Sequence, residues 1–178
     1  MSNKKILMIH EFKESFLNLP LEDYILTFDD GLFTQYLFLS ELLKINTVKY
    51  FFISSGIVCE EDKKQDDTFI TCYDAHKKAF KNNFINYMKW SQIKNILNYK
   101  NCYIGCHSHF HKIKTADCVE CIIEDNRLMK DKFLKKLNFI PESFCFPYNY
   151  ETPLYKEILS KKGFKNFYGS ERIDINEI

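Results

Sequence analysis

Apolar and polar positions along the 178 residues fall into short apolar runs that alternate with stripes of helical period. The runs at Lys5–Ile9, Tyr24–Phe28, Val48–Ile53, Cys102–Cys106, Ser143–Phe146 and Phe164–Tyr168 are rich in aromatic and β-branched side chains and read as six strands. Between them, Leu32, Tyr36, Leu39, Leu42 and Leu43 recur with helical spacing, predicting a helix of roughly three turns after Gly31. A helix is expected over Tyr73–Tyr87, with Ala75, Ala79 and Phe80 on one side, and a short one to Leu97 capped by Ser91. Thr115 is read as the cap of a long helix whose stripe is Val119, Ile122, Ile123, Met129, Phe133 and Leu137. Pro153 suits the first position of a helix to Lys162, closed by Gly163. Pro20 breaks the connection over Phe12–Asp23, and Cys59–Thr68 is polar enough to be an exposed loop. Strands alternating with helices predict an α/β fold of parallel strands with helical crossovers, open or curled into an incomplete barrel. No repeat or linker divides the chain, so residues 1–178 read as one domain.

Composition narrows the function classes. Hydrophobic residues make up 46% and charged residues 28%, ordinary for a soluble globular protein. The formal charge is +1 and the lysines are scattered, which disfavours a nucleic-acid partner. No apolar run approaches the roughly 20 residues of a membrane span. The basic start Met1–Lys5 is followed only by Ile6–Ile9, shorter than the about 7–15 residues of a signal-peptide core, so a cytoplasmic protein is expected. In that compartment the seven cysteines are expected as free thiols. A structural zinc on Cys102, Cys106, Cys118 and Cys121 is the competing reading of their spacing.

Candidate chemistry sits at two strand ends. Asp29 and Asp30 close the run Tyr24–Phe28 before Gly31, and His107, His109 and His111 follow Cys102–Cys106. Strand ends of α/β proteins are where rigid backbone meets ligand-bearing loops. Adjacent carboxylates raise each other's pKa unless a cation takes one of them. One carboxylate with His107 and His111 leaves an open coordination position, the pattern of a catalytic zinc. Such an ion lowers the pKa of bound water, and the remaining carboxylate is placed to take the proton. His109 alternates with the other two histidines and is expected to point away, in a supporting or packing role.

Three stretches resemble motifs of the polysaccharide deacetylase group, the NodB-homology or family 4 carbohydrate esterases. Thr27-Phe28-Asp29-Asp30-Gly31 looks like the first motif, His107-Ser108-His109-Phe110-His111 the second, and Phe144-Cys145-Phe146-Pro147-Tyr148 the third. The resemblance covers nearly the whole chain, with Phe51–Ile53 and Trp90-Ser91 also in place. It implies a distorted, incomplete (β/α) barrel of about six mainly parallel strands. It implies Asp29 as general base and Asp30, His107 and His111 as ligands of one divalent metal, zinc first and cobalt, nickel or iron as alternatives. Pro147 and Tyr148 would line the substrate groove, the Tyr148 amide facing the oxyanion.

Two departures stand out. The third motif often carries an arginine that holds the catalytic aspartate; Cys145 stands there, and Arg127 and Arg172 are the only arginines. The group's later histidine acid has no counterpart after His111, which leaves His10, at the end of the first strand, as the candidate acid and Glu11 behind it. The short form resembles deacetylases of surface-polysaccharide (O-antigen) biosynthesis, implying a nucleotide- or lipid-linked amino sugar as partner, and exposed sheet edges leave room for a homo-oligomer. The alternatives are a catalytically degenerate glycan-binding protein, a non-haem iron oxygenase using the same ligand types, and the zinc-ribbon module.

Overall fold

A computed structural model describes residues 4–178; Met1, Ser2 and Asn3 of the basic start lie outside the described residues. The apolar runs form β1 (Lys5–Ile9), β2 (Tyr24–Phe28), β3 (Lys49–Ile53), β4 (Cys102–Cys106), β5 (Ser143–Cys145) and β6 (Asn166–Tyr168). A seventh strand, β7 (Ile173–Asp174), was not expected, because two residues carry no alternation. The sheet order is β6-β5-β4-β3-β2-β1-β7, and every pairing is parallel. The first and last strands of this order, β6 and β7, are joined by only Gly169–Arg172. Five residue steps span at most about 18 Å of extended chain, so the edges of the sheet lie close together and the sheet curls into a half-barrel. This is the distorted, incomplete (β/α) barrel expected.

Side chains alternate across that curved sheet. Leu7, Ile9, Leu26, Phe28, Phe51, Ile53, Ile104 and Phe144 face outward into the main core, where Phe28 stacks on Phe51 at 4.7 Å. Residues of the other parity face the barrel interior. Tyr168 of β6 reaches Tyr50 and Phe52 of β3, with ring centroids 5.3 and 4.9 Å apart. Gly105 is required on this face: a Cβ there would stand 2.3 Å from Phe52 Cε1.

The helices depart from expectation in several places. The helix after Gly31 is two short ones, α1 (Phe33–Leu37) and α2 (Leu39–Leu42), separated at Phe38, whose φ is −93° and ψ 14°. The next, α3 (Cys72–Ala79), stops short of Tyr87, because Asn82 turns left-handed (φ 57°) and the chain then bridges Tyr87 to Leu32. Ser91 does not cap α4 (Trp90–Ile96); Gln92 Oε1 accepts the Lys89 N–H at 2.8 Å, and Ser91 bonds Glu61. Thr115 is likewise not the cap of α5 (Val119–Leu137), whose N-cap is Cys118 after a 3₁₀ turn over Ile113–Asp117. Pro153 begins α6 (Pro153–Lys161), capped by Thr152. No helix among the described residues is long and apolar enough to cross a membrane.

Candidate active site

The site is built at the C-terminal ends of β1, β2 and β4. Asp29 shares strand parity with Thr27, so it faces the barrel interior. Asp30 would point the other way, but its φ of 70°, followed by Gly31 at 77°, turns its carboxylate into the same mouth. Gln35, fully buried, ties two of the strand ends together: its amide donates to the carbonyls of His10 and Asp29, both at 2.6 Å.

The histidine loop is held from three sides. Ser54 Oγ donates to the His107 carbonyl at 2.9 Å, and Ser108 Oγ accepts the His111 N–H at 2.9 Å. Asp125 of α5 accepts the backbone N–H groups of His109 and Phe110 at 2.8 and 3.0 Å. His109 points away as expected, with Nδ1 2.8 Å from Ser55 Oγ; burial pushes its pKa down to about 4. Among the described residues, five of the eight non-glycine residues with positive φ stand here: Asp30, Ser108, His111, Tyr148 and Asn149. Each such residue costs on the order of 1–3 kcal/mol, and strain of this kind gathers at functional sites.

Three side chains converge. Asp30 Oδ1 lies 3.3 Å from His107 Nε2 and 3.1 Å from His111 Nε2, and the two nitrogens are 3.2 Å apart. All three residues are buried. The His107 Nδ1 proton goes to the Cys145 carbonyl at 2.8 Å, which leaves Nε2 a bare lone pair facing a carboxylate oxygen. Asp30 Oδ1 is itself buried and receives no hydrogen bond. Lone pairs turned on one another in a buried place are unfavourable unless a cation lies between them. A triangle with these edges is the face that three ligands present to one ion about 2 Å from each. Burial opposes the charge on Asp30, but the surrounding imidazoles hold its carboxyl well below the usual range; burial pushes His111 toward the neutral form a metal needs. The residues present fit a divalent ion.

Asp29 stands beside this triangle with a different partner. Arg172, in the turn between β6 and β7, donates to both its oxygens at 2.8 Å. The same guanidinium donates to Thr27 Oγ1, the Asn149 side-chain oxygen and the Gly169 carbonyl, so all of its nitrogens are used. Burial raises the Asp29 pKa, but Arg172 outweighs it and, with His107 and His10, brings it down to about 2. Cys145 Sγ lies 3.4 Å from Asp29 Oδ2. An arginine 143 residues beyond Asp29 thus takes the place of the one missing from the third motif, over a small side chain, Cys145, that leaves room for it. Arg172 lies outside every motif, so nothing local in the sequence marks it. The available signal was its rarity, with two arginines among 25 basic residues.

The other expected residues also have places. His10 directly follows β1, next to Asp29 at the end of β2, and is half-buried. Glu11 is engaged elsewhere, accepting the Cys72 N–H at the start of α3. Pro147 is buried, whereas Tyr148 is half-exposed, its ring 4.7 Å from His111 and its hydroxyl donating to the His111 carbonyl at 3.4 Å. The cysteine readings need correction. Cys118 and Cys121 form a disulfide, and Cys102 and Cys106 are buried in β4, packed into the main core. Among the described residues no cluster of four cysteines exists to hold zinc, and not all the thiols are free.

A carboxylate–histidine triangle at the mouth of a half-barrel, beside a second, arginine-held carboxylate, is an arrangement suited to metal-assisted hydrolysis. The polysaccharide deacetylase family model matches residues 19–167, and the chain belongs to that family. Among solved structures, the chain is similar to IcaB from Ammonifex degensii at 19% identity and a TM-score of 0.66, covering 97% of this chain and 85% of that one. It is similar to a de-N-acetylase from Aggregatibacter actinomycetemcomitans at 11% identity and a TM-score of 0.67, covering 96% and 92%. The Streptococcus pyogenes deacetylase PplD matches at 13% identity and 0.63, covering 90% and 80%. These likenesses are of fold. No curated protein matches the sequence.

Proposed function

We propose that the protein is a metal-dependent hydrolase that removes an N-acetyl or related acyl group from an amino sugar during assembly of a surface polysaccharide. The observation that carries this reading is the buried triangle of Asp30 Oδ1, His107 Nε2 and His111 Nε2 beside an ionised Asp29. A divalent ion held there, zinc first among the candidates, supplies polarisation of the acyl oxygen and acidification of water. Asp29 takes the proton of the attacking water. Its Arg172 partner keeps the carboxylate ionised and fixed in direction, and the Tyr148 amide donates to the oxygen that becomes negative. His10, on the Asp29 side of the mouth, returns a proton to the leaving amine.

A sugar is supported by the surroundings. Phe80 and Phe110 are 67% and 42% exposed and line a cavity of about 310 Å³ beside His76, with Lys112 at its edge. Tyr148 adds a third exposed ring next to His111. Flat apolar surface with a few polar groups is what the ring faces of a sugar pack against. The de-N-acetylase among the structural relatives supports an N-linked acyl group.

Acetate release from N-acetylated amino-sugar donors tests the reading. With the metal-replete protein, release is expected, and Asp29→Asn should lower it by at least about 10³-fold while the bound metal remains. His10→Ala should lower kcat by about 10²-fold with metal content unchanged. A variant Asp29→Asn that turns over like the wild type removes Asp29 as the base. Saturable sugar binding with no acetate from any donor would instead favour a binding protein that has lost its chemistry.

A further inference from the structure

Four of the five histidines sit in the motifs or at the end of β1; the fifth, His76, sits on α3 in a segment that matches none of them. Its Nε2 lies 3.1 Å from Asp30 Oδ2, the carboxylate oxygen that the two ligand histidines leave unused. Its Nδ1 lies 3.2 Å from the hydroxyl of Tyr87, which is fully buried. A carboxylate only accepts, so the tautomer that serves both contacts puts the proton on Nε2 and has Tyr87 donate to Nδ1. Burial raises the Tyr87 pKa, so its phenol keeps the proton it must give. The Nε2 contact is short, though not aligned as a full hydrogen bond.

His76 also touches a second ligand. Metal-binding imidazoles ordinarily have their other nitrogen fixed by an acceptor. His107 does, through the Cys145 carbonyl, but His111 Nδ1 is buried without a partner. The His111 ring is held instead by packing: His76 stacks on it at 4.4 Å and 13°, and Tyr148 leans on it at 4.7 Å. One residue from α3 therefore braces two of the three converging ligands.

We propose that His76, anchored by Tyr87, is a positioning residue of the metal centre: it grips Asp30 Oδ2 so that Oδ1 alone faces the ion, and it fixes the plane of the His111 ring. This rests on the reading of Asp30, His107 and His111 as ligands. It explains how a metal site can be preorganised although one of its imidazoles lacks the usual hydrogen bond.

The test is zinc affinity by competition with a chromophoric chelator, on the full chain, for the wild type, His107→Ala, and three variants of His76. His76→Ala should bind zinc about 10–100-fold more weakly. His76→Gln keeps an N–H donor without the stack, and His76→Phe keeps the stack without the donor; both should fall between alanine and the wild type. Tyr87→Phe, which removes one hydroxyl from a core position, should weaken binding several-fold and guards against a His76 variant that unfolds. Wild-type affinity in His76→Ala overturns the inference while leaving the ligand assignment intact. If glutamine and phenylalanine both bind as weakly as alanine, the imidazole coordinates directly and the positioning role is wrong. A wild type that binds no zinc, or a His107→Ala that binds as well as it, overturns the ligand reading and this inference with it.

Discussion

At the scale of single residues the site depends on which partner each aspartate has. Asp29 and Asp30 are adjacent in sequence, yet one faces a guanidinium and the other faces imidazoles, so each stays ionised in a place that burial alone would neutralise. Arg172 makes five contacts, two of them a parallel pair to Asp29. Lysine offers a point charge and cannot reproduce that fork. Arg172→Lys should therefore lower kcat by at least about tenfold, with zinc affinity changed much less, measured by steady-state acetate release beside a chelator titration. Loss of zinc affinity as large as the loss of kcat would place Arg172 in the service of the triangle instead. Asp29, Asp30, His107 and His111 were legible in the sequence because each pair is local and ends an apolar run. Arg172 and His76 were not, since their contacts close only when the chain passes from β6 to β7 at the other edge of the sheet and α3 folds over the mouth.

At the scale of elements, α5 reaches back to the histidine loop through one carboxylate. Asp125 is 3% exposed and accepts two backbone N–H groups of that loop. Asp125→Ala orphans both donors and should cost about 2–4 kcal/mol in urea unfolding, with zinc binding weakened as the loop loosens. An unchanged urea midpoint would show that water replaces the carboxylate. His109, in that loop with its ring against Ser55, makes the fold sensitive to acid. Its pKa is about 4 in the fold, against the about 6.5 of an exposed imidazole, so between those values the unfolded chain binds the extra proton. Stability should fall as pH drops from about 6.5 to about 4, and His109→Phe should flatten that part of the profile. Six of the seven strands were legible because apolar runs report burial directly. The helix boundaries were missed where side chains chose other partners, as Ser91 did with Glu61, or where an asparagine ended a helix that periodicity would have continued, as Asn82 did.

At the scale of the whole molecule, curling the sheet is what assembles the site. Parallel order and alternating helices were evident from the chain, but the short β7 was not, and β7 is what returns the chain to β1 and carries Arg172 across the barrel mouth to Asp29. The zinc-ribbon alternative failed on geometry, because β4 buries two of its four cysteines and the other two bond each other. What remains is the family fold with a buried triangle of metal-competent side chains, an arginine from the turn between β6 and β7, and a histidine from α3. The most direct test is metal content per chain by elemental analysis, after stripping and reconstitution with zinc, for the wild type and for His107→Ala/His111→Ala. One ion per wild-type chain that disappears in the double variant is the expected result. No ion in the wild type, or an ion that persists without those two imidazoles, would contradict the account.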